Sequence, residues 1–185
     1  MSSTSKNGRV FWTAAVLVII LDVITKYLAV QHLEPHVPFP VVGEVARLTL
    51  AYNPGAAFSM SLGDYSRDIF GGFAVVALII LFRLFVIWQR QVASPRDAFV
   101  RSLALGLAWG GAAGNLIDRI RSARGVVDFI DIGVGDVRFW TFNVADSAVT
   151  VGALMLAYVL WREDRKALAT AASEAAARDN APFST

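Results

Sequence analysis

The sequence contains no cysteine and only two histidines, and it has few charged residues. The absence of cysteine excludes disulfide bonds, thiol nucleophiles and thiolate metal sites. Because His32 and His36 are too few for an all-histidine metal site, we expect neither a metal nor another cofactor. Charged residues make up 17% of the 185 residues and hydrophobic residues 56%, whereas roughly 25% of an ordinary soluble domain is charged. The composition therefore indicates a membrane protein of one compact domain.

Positive charge is also scarce, since the net charge is +2 and no basic stripe with interleaved aromatic residues is present. Nucleic acid is therefore not expected as a partner. The lysines and arginines near the apolar runs are slightly more numerous in the tails and the middle loop than in the other two connections. This bias favours cytoplasmic termini, which puts those two connections on the outer face of the membrane.

Four apolar runs have the length needed to cross a bilayer, about twenty residues each. We predict spans over residues 10–30, 69–88, 98–117 and 141–161. Glycines at every fourth position of the third run, Gly106, Gly110 and Gly114, predict a groove that lets a neighbouring helix approach closely. Residues 1–9 are predicted to be a disordered tail, and residues 162–185 a second tail that frays from a helical stub.

The two outer connections differ in character. Prolines break any helix after residue 31, and two short strands about a glycine turn predict a small sheet on the membrane surface over residues 37–60. Residues 118–140 are interpreted as a polar connecting segment, in which Asp131 and Asp136 are expected to be solvated. The predicted fold is an all-α membrane protein of four transmembrane helices with this sheet and this connecting segment.

Polar residues gather toward the outer end of the predicted spans. Asp146 lies inside an apolar run, where a carboxylate costs at least a few kcal/mol and normally has a function. Asn143 precedes it by three residues and shares its helical face. Asp22 and Lys26 have the i, i+4 spacing of an intrahelical ion pair. The same spacing joins Asn115 and Arg119 at the end of the third span, and Asn53 and Asp128 lie in the two outer connections.

This set of side chains is suited to carboxylate chemistry. Two aspartates held together cannot both ionise easily, so one keeps a proton while the other activates a water, and such a pair can hydrolyse a peptide bond. Asp128 and Asp146 form the best candidate pair. Two alternatives stay open: a small transporter or proton pathway that uses Asp22, Lys26 and Asp146, and an assembly protein whose glycine face binds partner helices. Polar residues clustered at one face favour the enzyme.

Five sequence blocks, in one order along nearly the whole chain, resemble those of the bacterial lipoprotein signal peptidases (signal peptidase II), which are aspartic proteases of the inner membrane. The blocks are Asp22–Lys26, Asn53–Phe58, Gly111–Arg119, Val127–Phe129 and Phe142–Ser147. Any one block is weak evidence, but five together are highly specific.

The resemblance implies an aspartic endopeptidase with Asp128 and Asp146 as its dyad. Its substrate would be a prolipoprotein, cut just before a cysteine that carries a diacylglyceryl group. The implied fold has four transmembrane helices, a periplasmic sheet and a periplasmic connecting segment, with membrane lipids around it and globomycin-type peptides as inhibitors. No oligomer is indicated. The implied substrate-binding or supporting residues are Asn53, Gly55, Gly111, Asn115, Arg119, Asn143, Ala145, Asp22 and Lys26. We expect Arg119 to order the loop that carries Asp128.

Overall fold

The computed structural model describes residues 3–55, 65–91 and 94–179. These ranges form four long helices and one four-stranded antiparallel sheet. The helices are α1 (Ser3–His32), α2 (Ser66–Gln89), α3 (Pro95–Arg121) and α4 (Val144–Asp179). The strands are β1 (Phe39–Val42), β2 (Ala46–Asn53), β3 (Val126–Val134) and β4 (Val137–Arg138), which lie in that order in the sheet.

Among the described residues, α1, α2 and α4 are long and apolar enough to cross a membrane. The less apolar α3 packs against all three of them and lies at the centre of the bundle. Close packing follows from its glycines: a Cβ atom at Gly110 would lie 2.7 Å from the carbonyl oxygen of Ala15, and one at Gly106 would lie 2.5 Å from that of Phe11. The groove predicted from the glycine spacing is therefore confirmed, and α1 fills it.

The two ends of the bundle differ in chemistry. Near the start of α1, aromatic rings fill the core, and Phe11 stacks on Phe85 with ring centroids 4.1 Å apart. The first turn of α3 is tied to α4 at this end, since Asp97 pairs with Arg162 at 2.5 Å and with Lys166 at 3.3 Å. The sheet and the clustered polar side chains lie at the other end, where α1 ends and α4 begins.

The sheet is larger than the sequence predicted, because the expected sheet of residues 37–60 supplies only β1 and β2. Residues 56–60 lie outside the described ranges. The supposed connecting segment, residues 118–140, supplies β3 and β4, which extend the same sheet. The pairing of β2 with β3 is irregular between Leu48 and Ala51, and Ala51 then lies opposite Asp128. A bulge of this kind re-aims the side chains that follow it.

The helices also extend beyond the predicted spans. The α1 helix already begins at Ser3, so the predicted disordered tail of residues 1–9 is wrong from that residue onward. The α4 helix continues to Asp179 and does not fray soon after Trp161 as predicted. Alanine is the strongest helix former, so the alanine-rich sequence favours this continuation.

Candidate active site

Asp128 and Asp146 are brought together by one asparagine. Asp128 lies on β3 with 3% of its surface exposed, and Asp146 lies in the first turn of α4. The side-chain amide of Asn143 donates to Oδ1 of Asp128 at 2.7 Å, and its backbone N–H donates to Oδ2 of Asp146 at 3.2 Å. The two carboxylates predicted to act together are therefore both bound to Asn143.

The local sequence explains this position of Asn143. Its side-chain oxygen accepts the backbone N–H of Asp146 at 2.9 Å, while Asp146 accepts the backbone N–H of Asn143. This reciprocal pair is the capping box that commonly begins a helix, here with aspartate in the place of glutamate. Asn143 is completely buried, so the start of α4 and the two carboxylates are fixed by the same residue.

Two further asparagines donate side-chain hydrogen bonds to the two carboxyl groups. Asn53, the last residue of β2, donates from its side chain to Oδ2 of Asp128 at 3.2 Å. Asn115 on α3 donates to Oδ1 of Asp146 at 2.7 Å. The structure thus unites residues from two strands and two helices around the two carboxyl groups.

Asp128 binds a proton more tightly than an ordinary aspartate does. Burial, followed by the neighbouring charge of Asp146, raises the pKa of Asp128 from 3.8 to about 7, although hydrogen bonds from Asn53 and Asn143 act in the opposite direction. A carboxyl group with such a pKa carries a proton for much of the time near neutral pH. One protonated and one ionised carboxyl group, held close together, is the arrangement used by aspartic proteases.

A buried cluster of charges supports the pair from the side of α1. The ammonium group of Lys26 lies 2.7 Å from Asp22 and 2.8 Å from Asp118, and it donates to the side-chain oxygen of Asn115 at 2.8 Å. The predicted ion pair of Asp22 and Lys26 is confirmed. Asp118, which the sequence analysis did not include among the site residues, also accepts the backbone N–H of Val127 at 3.2 Å. Its position next to Asn115 and Arg119 was the signal that could have identified it.

Arg119 holds a different segment from the one expected. Its two terminal nitrogens donate to the carbonyl oxygens of Asn115 at 3.1 Å and Gly55 at 2.9 Å. Gly55 is the last described residue before a gap, and its own N–H donates to the side-chain oxygen of Asn53. The prediction that Arg119 orders the loop of Asp128 by hydrogen bonds is therefore wrong, because the guanidinium group is bound to the segment after β2.

Gly111 and Ala145 act through packing. A side chain at Gly111 would collide with the carbonyl oxygen of Ala145, so α3 and α4 meet here at close range. Ala145 is fully buried, and its N–H donates to Oδ1 of Asp22 at 2.9 Å. This close approach is what allows Asn115 on α3 to reach Asp146 on α4.

Asp131 is not the solvated acid that the sequence analysis expected. Its side chain accepts from Arg47 at 3.0 Å, Arg138 at 2.5 Å and Thr49 at 2.9 Å, and only 4% of the residue is exposed. Burial alone would raise the pKa of Asp131, but the hydrogen bonds from Arg138, Thr49 and Arg47 lower it below 3.8. Asp136, by contrast, is exposed as expected. Asp131 therefore connects strands of the sheet and is not part of the candidate active site.

The described side chains contain no group of three or more histidine, aspartate or glutamate residues that could hold a metal ion. An open groove of about 500 Å³ borders the charged cluster between α1, the end of α3 and β3. Apolar side chains of α1 form one wall, and the residues that line the groove are Val23, Ile24, Lys26, Tyr27, Val30, Asp118, Arg121 and Val127.

The chain is similar in sequence to bacterial lipoprotein signal peptidases. The lipoprotein signal peptidase of Coxiella burnetii (strain Dugway 5J108-111) is 39% identical over 161 residues, which cover 86% of this chain and 95% of the relative. That of Acinetobacter baylyi is 40% identical over 144 residues, which cover 77% of this chain and 76% of the relative. Both relatives are therefore similar over most of their length.

A solved structure and a family model extend the comparison. The structure of a bacterial membrane enzyme, determined by the in meso method at 2.3 Å resolution, has a TM-score of 0.69 and 30% identity, and the match covers 82% of this chain and 87% of that one. The family model described as signal peptidase (SPase) II matches residues 14–162. The chain therefore belongs to the signal peptidase II family, whose members cleave the signal peptides of prolipoproteins.

Proposed function

We propose that Asp128 and Asp146 are the catalytic dyad with which this chain hydrolyses a peptide bond of a prolipoprotein. The observation that carries the proposal is the contact of both carboxyl groups with Asn143, at 2.7 Å and 3.2 Å, together with the raised pKa of Asp128. A pair that shares one proton supplies both the acid and the base that water attack requires.

The reaction follows from this proton distribution. Asp146, ionised, removes a proton from a water molecule, whose oxygen attacks the carbonyl carbon of the scissile bond, while Asp128 donates its proton to the carbonyl oxygen. The resulting tetrahedral diol collapses when Asp128 takes back a proton from one hydroxyl group and Asp146 protonates the leaving nitrogen. The carbon–nitrogen bond breaks, one water is consumed, and both carboxyl groups return to their initial state without a covalent intermediate.

The substrate we propose is a prolipoprotein whose cysteine already carries a diacylglyceryl group, cut just before that cysteine. The site lies at one end of apolar helices, so a peptide can reach the dyad there while acyl chains remain among membrane lipids. Gly55 lies just after β2 and is bound by Asn53 at the end of β2 and by Arg119 on α3, and these three residues would contact the peptide. Globomycin-type peptides would inhibit by occupying the same place.

The membrane arrangement is part of the proposal. We infer that α3 is a fourth span, because it packs among the three apolar helices, so that residues 10–161 form one transmembrane catalytic domain. Four spans put both termini on one side of the inner membrane. The lysine and arginine bias favours the cytoplasm for the termini, and the sheet and the dyad would then face the periplasm.

A transporter or proton pathway is not supported. Asp22, Lys26 and Asp146 were its candidate relay, but they belong to one connected network at one end of the helices. The matching family model and the curated relatives described above are signal peptidases.

The test is cleavage of a diacylglyceryl-modified prolipoprotein peptide in detergent. We expect Asp128→Asn and Asp146→Asn each to lower turnover by about a thousandfold or more, because each removes a group that transfers a proton. Asp136→Asn is the matched control, since Asp136 is an exposed aspartate of the same segment, and its turnover should equal that of the wild type. Turnover retained by either dyad variant would remove that residue from the dyad.

A further inference from the structure

The amide groups of the site asparagines are held in one orientation by hydrogen-bond donors. Asn53 accepts the N–H of Gly55 on its side-chain oxygen at 3.0 Å, and Asn143 accepts the N–H of Asp146 in the same way at 2.9 Å. An amide whose oxygen is bound to a donor must turn its NH₂ group the other way. In both residues the NH₂ group then faces the carboxylate of Asp128.

Asn115 follows the same rule with a different kind of donor. Its side-chain oxygen accepts from the ammonium group of Lys26 at 2.8 Å, and its NH₂ group donates to Asp146 at 2.7 Å. Asn53 and Asn143 are held by backbone groups close in sequence, but Lys26 is 89 residues away from Asn115, on another helix. The side-chain amide of Asn143 also reaches the oxygen of Asn115, at 3.1 Å.

We propose that Lys26 is a positioning residue for the dyad, which fixes the amide of Asn115 so that its NH₂ group faces the carboxyl group of Asp146. The inference deepens the proposed function and rests on it. The effect proposed for Lys26 passes through Asn115, to whose side-chain oxygen its ammonium group donates at 2.8 Å.

The chemistry of an ammonium group makes it suited to this role. It has three N–H donors and no acceptor, so a rotated Asn115 would place NH₂ against NH₃⁺ with no hydrogen bond between them. Three oxygen atoms surround the ammonium nitrogen of Lys26: those of the Asp22 and Asp118 carboxylates at 2.7 Å and 2.8 Å, and that of the Asn115 amide at 2.8 Å. The charge of Lys26 also lowers the pKa of Asp128, so an electrostatic effect acts beside the orientation of Asn115.

Rotation of Asn115 would change the environment of Asp146. The 2.7 Å donor would be replaced by a carbonyl oxygen, and hydrogen bonds to the ionised form are what favour that form. The distribution of the proton between the two carboxyl groups of the dyad would then change. The charged groups around Asp146 that bear on this equilibrium are Asp128 on β3, Asp118 and Arg119 on α3, and Asp22 and Lys26 on α1.

The first variant to measure is Lys26→Met, which keeps the length of the side chain and removes the donors. With the lipopeptide as substrate, we expect kcat to fall about a hundredfold, the scale of a lost acid–base contribution, while KM changes by less than about threefold. The acid limb of the pH profile of kcat/KM, which reports the base of the free enzyme, should move up by about one pH unit.

Two further variants separate positioning from folding. Lys26→Met leaves the buried Asp22 and the partly exposed Asp118 without their cation. The combined variant Lys26→Met/Asp22→Asn/Asp118→Asn removes those charges too, and its acid limb should move in the same way. Lys26→Arg keeps a cationic donor, and we expect its acid limb to stay at the wild-type pH even where its melting temperature falls.

Two outcomes would overturn the proposal about Lys26, and a third would refute the proposed function. An acid limb that stays at the wild-type pH in the folded Met variants would overturn the proposal, because a purely structural ion pair changes stability alone. A shift in Lys26→Arg as large as that in Lys26→Met would also overturn it. Turnover retained by Asp128→Asn or Asp146→Asn would instead refute the proposed function itself, so the two failures are told apart in the same assay.

Discussion

Asp128→Asn should make the stability of the protein less dependent on pH while it abolishes turnover. Burial and the charge of Asp146 raise the pKa of Asp128 from 3.8 to about 7. The folded state therefore binds this proton more tightly than the unfolded state does. The stabilisation is complete below about pH 4 and is lost as the pH rises through about 7. Asparagine has no such proton, so the unfolding free energy of the variant does not decrease with pH at this position.

The size of the effect follows from the shift. Each pKa unit corresponds to about 1.4 kcal/mol, so a change from 3.8 to about 7 is about 4 kcal/mol over the whole range. Between pH 5 and pH 8 the wild type should lose about 3 kcal/mol of unfolding free energy through Asp128, which corresponds to a melting temperature lower by roughly 5 to 10 °C for a chain of this size. The asparagine variant should not show that part of the decrease.

The assay is thermal unfolding in detergent at a series of pH values from about 5 to 8. Asp131→Asn is the matched control, because Asp131 is a buried aspartate of the same strand whose pKa is lowered below 3.8. Its stabilisation is present above pH 4 and is lost only below that value, so Asp131→Asn should destabilise the protein equally at pH 5 and pH 8. Parallel stability curves for the wild type and Asp128→Asn would refute the proton assignment.

Two other substitutions test the packing and the polar contacts of the site. Gly114→Ala should lower the melting temperature by several degrees and reduce turnover, because the added Cβ would lie 2.5 Å from Oδ2 of Asp22, and overpacking costs about 1–3 kcal/mol. Gly72→Ala on α2 is its control, since a Cβ atom there would have no neighbouring atom within 4 Å. The control should leave the melting temperature and the turnover unchanged or slightly higher. Arg119→Lys should lower turnover about tenfold, since an ammonium group cannot reproduce the fork that binds Gly55; full activity in this variant would show that a point charge is sufficient.

Local spacing allowed much of the site to be predicted. Two pairs of site residues are close in sequence: Asn143 and Asp146 are three residues apart, and Asp22 and Lys26 are four apart. One helical turn brings each pair together, independently of the rest of the fold. The apolar runs located the helices for the same reason. Their ends were not predictable, because capping and the charges outside the apolar run decide where α1 begins and α4 ends.

Contacts between distant segments could not be derived from spacing. Lys26 reaches Asp118 only because the glycines of α3 let two helices approach, and Asp131 is buried only because β3 pairs with the strand of Arg47. The apolar residues from Val126 onward did carry a strand signal, but the polar character of the surrounding segment suggested a loop. The error about Arg119 has the same origin, since its partner Gly55 lies 64 residues earlier.

The separation of these partners along the chain has a consequence for biosynthesis. The carboxylate of Asp22 accepts a hydrogen bond from Ala145, which is made 123 residues later, and Asn115 meets Asp146 only when α4 has joined the bundle. A nascent chain that has emerged only as far as α3 contains neither residue of the proposed catalytic pair. Proteolytic activity therefore arises in the last step of assembly. A chain that ends before α4 would be inactive as a protease in the membrane.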